Sequence, residues 1–188
     1  MNGVYQFECA GRMVSAQQHP DAFDFFNRFL AEHKFERIIE IGTAAGGLAW
    51  WFWHNHKIPM TTYDIAVRQL HGDLHKAGVD VVHGDVFSPL HRADIEKLIS
   101  EPGKTLLLCD GGNKIAEFNY FSSFLKSGDV IMAHDYSADE GTYNNHTKQK
   151  WLWWEIRWSD VAAVCKALSL FCPDKSSEDA LWLCMQKR

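Results

Sequence analysis

The most informative residues of this chain are Ile38-Ile-Glu-Ile-Gly-Thr-Ala-Ala-Gly-Gly47. Four residues with strand character run into a loop that has glycine at Gly42, Gly46 and Gly47, and an apolar helical segment follows. A strand that enters such a loop and continues into a helix is typical of the first unit of a nucleotide-binding α/β domain. The glycines let the backbone turn tightly and approach a ligand closely.

Glu40 narrows the choice of ligand for this loop. A dinucleotide pyrophosphate binds to a helix N-terminus through backbone N–H groups, and a carboxylate two residues before Gly42 would repel it. The same carboxylate suits a ligand that carries an ammonium and a sulfonium, such as S-adenosylmethionine. The loop and Glu40 together therefore favour S-adenosylmethionine over NAD.

Composition sets the broad class of the protein. The 188 residues are 46% hydrophobic and 23% charged, which predicts one globular domain spanning 1–188. The net charge of -5 and the lack of a basic block argue against a nucleic-acid partner. The sequence shows no secretory signal and no apolar run of membrane-spanning length, and its five cysteines never form a C-x-x-C motif. These features predict a cytoplasmic protein with reduced thiols.

Strand and helix patterns alternate along most of the chain. This alternation predicts an α/β fold with a Rossmann-like doubly wound sheet, mostly parallel, of seven strands that end in a C-terminal antiparallel hairpin. The predicted strands are 37–41, 60–64, 79–82, 104–109, 130–133, 167–172 and 180–186. The predicted helices are one that begins at 19–21, then 48–56, 67–76, 89–99, 115–125 and 151–168. Residues 1–18 are interpreted as an N-terminal arm, and the polar stretch 136–150 as a loop that is a candidate lid.

Acidic residues follow several of the predicted strands, at the edge of the sheet where α/β proteins bind ligands. Asp64 lies 22 residues after Gly42, which is close to the spacing of an acid that accepts hydrogen bonds from ribose hydroxyls. Asp85 follows the third strand and suits either an adenine amine or a plain turn beside Gly84. Asp110, His134 and Asp135 follow the next two strands.

The chain resembles the class I S-adenosylmethionine-dependent methyltransferases, and within them the cephalosporin hydroxylase-like proteins and related small O-methyltransferases. The resemblance is carried by residues 38–47, by Leu107-Leu-Cys-Asp-Gly-Gly112 and by Ser127-Gly-Asp-Val-Ile-Met-Ala-His-Asp135. It implies that the cofactor is bound by Glu40, Gly42, Thr43, Gly46, Gly47, Asp64, Asp85 and Asp110. Two departures stand out. Ala44 replaces a glycine that many of these enzymes have, and residues 127–129 read Ser-Gly-Asp where Pro-Gly-Gly is usual.

Some relatives of this kind hold a divalent cation at the ends of the fourth and fifth strands. The resemblance therefore makes Asp110, His134 and Asp135 candidate ligands for Mg²⁺ or Mn²⁺. Such a metal would lower the pKa of an acceptor hydroxyl and orient its oxygen. Neighbouring residues on a strand point to opposite faces, so His134 and Asp135 converge only if the strand has already ended. In the alternative interpretation, Asp135 caps a turn and His134 is a general base. Lys114, close by, either binds an anionic acceptor or is simply solvated.

These observations predict a methyltransferase that uses S-adenosylmethionine on an oxygen of a small molecule, with His134 and Asp135 as catalytic residues. Two rivals stay open: an NAD-dependent oxidoreductase, and a non-catalytic cofactor-binding or assembly protein of the same fold. The helical spacing of Trp151, Trp154 and Trp158 favours core or dimer contacts over an aromatic wall for the acceptor, which makes a homo-oligomer a candidate.

Overall fold

The computed structural model describes residues 3–66 and 70–188, and it contains nine strands. Two of them form a separate N-terminal hairpin and seven form the central sheet. In chain order the strands are β1 Tyr5–Cys9, β2 Arg12–Ala16, β3 Arg37–Ile41, β4 Met60–Asp64, β5 Asp80–His83, β6 Thr105–Cys109, β7 Val130–Ala133, β8 Leu170–Phe171 and β9 Leu183–Lys187.

The central sheet has the strand order β5-β4-β3-β6-β7-β9-β8. Strands β3 to β7 run parallel, whereas β9 is antiparallel to both of its neighbours, β7 and β8. The predicted fold class is therefore confirmed, including the seven strands and the C-terminal antiparallel pair. The chain proceeds outward from β3 in one direction and from β6 in the other. The crevice at the carboxyl ends of these two adjacent strands is where such sheets bind ligands.

Helices cover both faces of the sheet. They are α1 Asp21–Glu32, α2 Gly47–His56, α3 His71–Ala77, α4 Pro89–Ser100, α5 Lys114–Phe121, α6 Glu140–Thr142, α7 Lys148–Lys150 and α8 Trp158–Ala167. The buried side chains of β6 alternate between two apolar clusters, Leu106 and Leu108 on one face, Leu107 and Cys109 on the other. An all-apolar strand is expected where both faces of a sheet are covered. Among the described residues, no helix combines the length and apolarity that a bilayer crossing requires.

The segment after β7 differs from the prediction. The expected loop 136–150 contains α6, a π-helical turn at Tyr143–Thr147 and α7. The expected helix 151–168 begins only at Trp158, and the residues before it are extended, with Ile156 forming a bridge to Tyr136. The indole N–H of Trp151 donates to the carboxylate of Asp135 and that of Trp154 to the carbonyl of Ser137 at 3.0 Å. These tertiary contacts override the helical pattern of the tryptophans.

The N-terminal arm is also more ordered than the sequence indicated. Strands β1 and β2 pair in register and pack against α2, where the backbone of Ser15 lies over Gly47. The predicted helix 67–76 is described only from its middle: residues 67–69 lie outside the described residues, and α3 begins at His71. It ends as predicted at Gly78, which has a left-handed φ of 102°.

Candidate functional site

A cavity of about 720 Å³ lies at the carboxyl ends of the parallel strands. Six of the predicted site residues line it: Gly42, Asp64, Asp85, Asp110, His134 and Asp135. Its size is in the range of small-molecule sites. The other predicted residues, Glu40, Thr43, Gly46 and Gly47, are not among the described residues that line the cavity.

Asp64 organises the glycine loop at one end of the cavity. Its carboxylate accepts hydrogen bonds from the backbone N–H groups of Ala44 at 2.7 Å and Ala66 at 2.8 Å. Ala44 has a left-handed φ of 46°, so the loop keeps a conformation that favours glycine although alanine stands there. A Cβ on Gly42 would lie 2.2 Å from the backbone oxygen of Asp110, so this glycine allows the loop to pack against the end of β6.

Glu40 is buried beneath the loop and does not line the cavity. The residue is 1% exposed and accepts a hydrogen bond from the hydroxyl of Thr62, which is in turn 2.6 Å from the hydroxyl of Thr43. Burial raises the pKa of Glu40 to about 8, and the nearby carboxylates of Asp110 and Asp64 add to this effect against the Thr62 hydrogen bond. The electrostatic argument for Glu40 as a direct cation ligand is therefore weakened, because burial favours the neutral carboxyl. What Glu40 does here is anchor Thr43 of the loop through Thr62.

Gly46 and Gly47 shape the start of α2. Gly46 has a left-handed φ of 86° immediately before the helix. A Cβ on Gly47 would lie 2.0 Å from the backbone oxygen of Ser15, so this position must be glycine for β2 to approach. Backbone geometry alone therefore explains why glycine occupies both positions. Their contact with the cofactor stays a prediction.

The sequence suggested either an adenine contact or a turn for Asp85, and the structure shows a turn. Its Oδ1 accepts from the N–H of Phe87 at 2.9 Å, while the residue itself remains exposed on the cavity wall. Val86 and Phe87 line the same wall. A turn-forming carboxylate in this place is still accessible to a polar ligand atom.

The other end of the cavity gathers Asp110, His134 and Asp135, which each offer a ligand atom within 4.8 Å of the others. The strand β7 ends at Ala133, and Asp135 adopts a left-handed φ of 58°. The condition for His134 and Asp135 to converge, that the strand has already ended, is thus met. The convergence that the sequence suggested for these three groups is present.

All four oxygens of the two carboxylates already have N–H donors from the protein. Asp110 accepts from His134 Nδ1 at 3.1 Å and from Gln18 Nε2 at 2.7 Å. Asp135 accepts from the indole of Trp151 and pairs with Lys114 Nζ at 3.0 Å. A divalent cation needs these oxygens as ligands at about 2.0 to 2.6 Å, and an ammonium group stands beside them. In this arrangement the residues do not fit a divalent cation.

Lys114 is buried in this cluster instead of being solvated. It is 6% exposed, and its ammonium also lies 2.7 Å from Glu155 Oε2, 3.1 Å from the carbonyl of Gly111 and 3.5 Å from Asp110 Oδ1. Burial disfavours the charged form, but the surrounding acids, Asp110 and Asp135 foremost, outweigh it and hold the pKa of Lys114 above its usual range. Lys114 is therefore a permanent positive charge at neutral pH.

His134 is placed to donate rather than to accept. Burial favours the neutral imidazole, yet the carboxylates of Asp110 and Asp135 outweigh burial and raise the pKa of His134. Its Nδ1 faces both carboxylates, and its Nε2 is buried without a hydrogen-bond partner among the described residues, with the ring 4.8 Å from that of Trp182. The role of His134 as general base stays a prediction that this geometry does not favour.

Several solved structures share the fold of this chain. The apo structure of CmcI matches 96% of this chain and 76% of its own with a TM-score of 0.67 and 15% identity. The structure of the N-terminal domain of EvdMO1 with SAH bound matches 100% of this chain and 92% of its own, with a TM-score of 0.57 and 14% identity. The structure of a putative caffeoyl-CoA O-methyltransferase from Staphylococcus aureus matches 87% of this chain and 82% of its own, with a TM-score of 0.51 and 12% identity. This chain has a methyltransferase fold. No family model and no curated protein matches the chain.

Sequence reasoning missed several side chains that complete the site within the methyltransferase fold. Gln18, from the arm before α1, bridges Asp110 and the indole of Trp182, which donates to its Oε1 at 3.1 Å. Glu117 is buried and accepts from the N–H groups of Gly111 and Asn113, and burial raises its pKa to about 7. Glu155 reaches Lys114 from the extended segment after α7. The contacts of Gln18 and Glu155 join segments that are distant in sequence and leave no local pattern, whereas those of Glu117 are local but its burial is not.

Two tryptophans line the cavity, but only one of them, Trp151, belongs to the predicted stripe. Trp151 and Trp153 are on the cavity wall. Trp154 instead stacks on Tyr143 at 4.9 Å, under the guanidinium of Arg157. The extended backbone of this segment sets which tryptophans face the cavity.

Proposed function

We propose that the protein transfers the methyl group of S-adenosylmethionine to an oxygen of a small molecule. The observation that carries this proposal is one cavity with two chemically different ends. The glycine loop and the acids of β4 and β5 lie at one end, and a lysine among carboxylates lies at the other. A donor and an acceptor bound at the two ends would meet above β3 and β6.

The loop end suits the nucleoside part of the cofactor. Asp64 would accept hydrogen bonds from the ribose hydroxyls, Asp85 from the adenine amine, and Phe87 would pack against the ring. Gly42 would let the methionine part approach the backbone. Two similar structures support this choice, since CmcI has been solved with Mg and SAM and the EvdMO1 domain with SAH.

The lysine end suits an acceptor hydroxyl. An oxygen lone pair attacks the methyl carbon, the C–O bond forms as the C–S bond breaks, and S-adenosylhomocysteine leaves. The hydroxyl proton passes to a carboxylate, and Glu155 is the best placed because its side chain is 45% exposed to solvent. Lys114, through its charge, favours the developing oxyanion. Asp135 and His134 hold Lys114 and Asp110 in position. Binding both substrates in line accounts for much of such a rate enhancement.

The NAD alternative is less well supported. A dinucleotide places its pyrophosphate on the N-terminus of the first helix. Here the backbone of Ser15 covers Gly47 at that end of α2. The antiparallel β9 also departs from the all-parallel order of dinucleotide-binding sheets.

Calorimetric titration with S-adenosylhomocysteine and with NAD tests the proposal. We expect binding of S-adenosylhomocysteine and none of NAD. An assay with methyl-labelled S-adenosylmethionine and a panel of small hydroxylated compounds then tests transfer. Binding of NAD alone would overturn the proposal in favour of an oxidoreductase. Cofactor binding without transfer to any acceptor would favour the non-catalytic protein.

We also propose that the enzyme is cytoplasmic and has no nucleic-acid or membrane partner. Its five free cysteines, four of them buried, support a reducing compartment. We also propose a homo-oligomer, since the indole of Trp158 is 42% exposed and could form a subunit contact. Light scattering of the purified protein measures the oligomeric state.

A further inference from the structure

We infer that the ammonium of Lys114 takes the place of a divalent cation between Asp110, Asp135 and Glu155, so that this site works without metal. The inference about the cation site does not depend on the proposed function. Only its consequence for the acceptor rests on that function.

The Lys114 ammonium has an acceptor for each of its three protons. Glu155 Oε2 lies at 2.7 Å, Asp135 Oδ2 at 3.0 Å and the carbonyl of Gly111 at 3.1 Å. A lysine with only 6% exposure and three acceptors is a built part of the site. Lys114 begins α5, whose position is fixed by Asn113 as the N-cap, so the ammonium is delivered from a rigid element.

The other oxygens of Asp110 and Asp135 also accept hydrogen bonds from the protein. Asp110 is held by Gln18 and His134, and Asp135 by the Trp151 indole as well as by Lys114. His134 directs Nδ1 at the carboxylates, so this nitrogen serves as a donor and not as a metal ligand. A metal would have to displace these donors and the ammonium together.

Charge leads to the same conclusion. Three carboxylates, those of Asp110, Asp135 and Glu155, surround one ammonium, and its distances to them are 3.5, 3.0 and 2.7 Å. A dication placed among the same oxygens would lie within a few ångströms of the ammonium, where repulsion in a buried site is strong. Lys114 therefore supplies one positive charge where a bound cation would otherwise balance the carboxylates. For the proposed reaction, the acceptor oxygen would lie near the charge of the ammonium in place of a metal ion.

Titration with Mn²⁺, followed by electron paramagnetic resonance, tests the inference on the full chain with saturating S-adenosylhomocysteine. We expect the wild type to bind Mn²⁺ with a Kd no tighter than about 1 mM. Removing the ammonium in Lys114→Ala should create a 1:1 site at least about tenfold tighter, and a further Asp110→Asn change should abolish it. Lys126→Ala is the matched control, since it removes another lysine paired with a carboxylate, Asp129 at 3.0 Å, away from the cavity.

A wild type that binds one Mn²⁺ with a Kd tighter than about 1 mM, with the affinity lost in Asp110→Asn, overturns the inference. So does a folded Lys114→Ala protein that binds Mn²⁺ no better than the wild type. If Lys114→Ala does not fold, the wild-type titration decides alone. Failure of S-adenosylhomocysteine binding would count against the proposed function, and the same Mn²⁺ titration repeated without the ligand would then test the inference separately.

Discussion

The carboxylate of Asp64 accepts a hydrogen bond of 2.7 Å from the backbone N–H of Ala44. This bond ties the end of β4 to the loop after β3, and it places the carboxylate on the cavity wall at the same time. The second oxygen is held by Ala66 at 2.8 Å. Each oxygen keeps a lone pair for a ligand, so Asp64 both shapes the loop and remains free to bind the predicted ribose.

We expect Asp64→Asn to weaken the binding of S-adenosylhomocysteine about 10- to 100-fold, because hydrogen bonds to a charged group contribute about 1.5–3 kcal/mol. Calorimetric titration measures the change. Asp80→Asn is the matched control, since Asp80 begins the neighbouring strand β5 and is exposed at the opposite edge of the sheet. Equal affinities of Asp64→Asn and the wild type would remove Asp64 from the cofactor site.

Ala44→Gly should leave the fold intact and raise the free energy of unfolding by up to about 1 kcal/mol. The left-handed conformation at Ala44 costs about 1–2 kcal/mol for a residue with a Cβ, and the greater freedom of glycine in the unfolded chain offsets part of the gain. Urea denaturation measures the difference. Ala163→Gly, at an exposed position within α8, is the control and should lose about 0.5–1 kcal/mol. A loss at position 44 as large as that at 163 would contradict the argument.

Sequence patterns predicted the central strands because their signals are local. The bounds of β3, β4 and β7 were predicted to the residue, since each is a short run of strand-forming residues that ends in a loop or an acid. The hairpin β1–β2 was missed because its residues alternate weakly, with only Cys9, Val14 and Ala16 buried. Segment 151–157 was predicted as helix because its tryptophans fit a helical period. Its conformation depends on the hydrogen bonds of Trp151 with Asp135 and of Trp154 with Ser137, which the spacing of the tryptophans does not reveal.

In the site, too, features with a local sequence signal were predicted and those that depend on tertiary contacts were not. Acids at strand ends could be placed at one edge of the sheet because parallel strands all end there. The burial of Glu40 could not be predicted, because it depends on how Thr62 of β4 and Thr43 of the loop close over it. The burial of Lys114 depends in the same way on Glu155, which is 41 residues away.

The buried carboxyl of Glu40 should make the protein less stable as pH rises. With its pKa raised from 4.5 to about 8, chiefly by burial, the native state keeps a proton that the unfolded chain loses. The neutral Glu40 carboxyl makes its full contribution to the free energy of unfolding below about pH 4.5, and this contribution is lost as pH rises towards 8. Glutamine does not titrate. The free energy of unfolding of Glu40→Gln relative to that of the wild type should therefore increase by about 2–4 kcal/mol between these pH values.

Urea denaturation at a series of pH values measures this difference. Glu8→Gln, at an exposed position on β1, is the control and should give a curve parallel to that of the wild type. A constant difference between Glu40→Gln and the wild type from pH 4.5 to 8 would mean that Glu40 is ionised in the native state.

Gly47→Ala should lower the free energy of unfolding by about 1–3 kcal/mol, because its Cβ would lie 2.0 Å from the backbone oxygen of Ser15 and neither segment is free to move aside. Chemical denaturation measures the loss. Gly72→Ala is the control: it lies within α3 with open space around its Cβ position, and it should gain about 0.5–1 kcal/mol. If Gly47→Ala is as stable as the wild type, the hairpin does not pack on α2 in this way.

The turn before β7 should be a stability element far from the site. Asp129 is 0% exposed, and it accepts the N–H groups of Thr105 and Lys126, each at 2.8 Å, as well as the Lys126 ammonium at 3.0 Å. It thus joins the starts of β6 and β7. Asp129→Ala leaves these donors unpaired and should cost about 3 kcal/mol of unfolding free energy.

Chemical denaturation measures this cost, and calorimetry should show unchanged affinity for S-adenosylhomocysteine because the turn lies at the edge of the sheet opposite the cavity. Asp24→Ala, exposed in the first turn of α1, is the control and should cost less than about 1 kcal/mol. If Asp129→Ala costs no more than Asp24→Ala, the Asp129 bonds are compensated by water, and the amino ends of β6 and β7 are held by their backbone pairing alone.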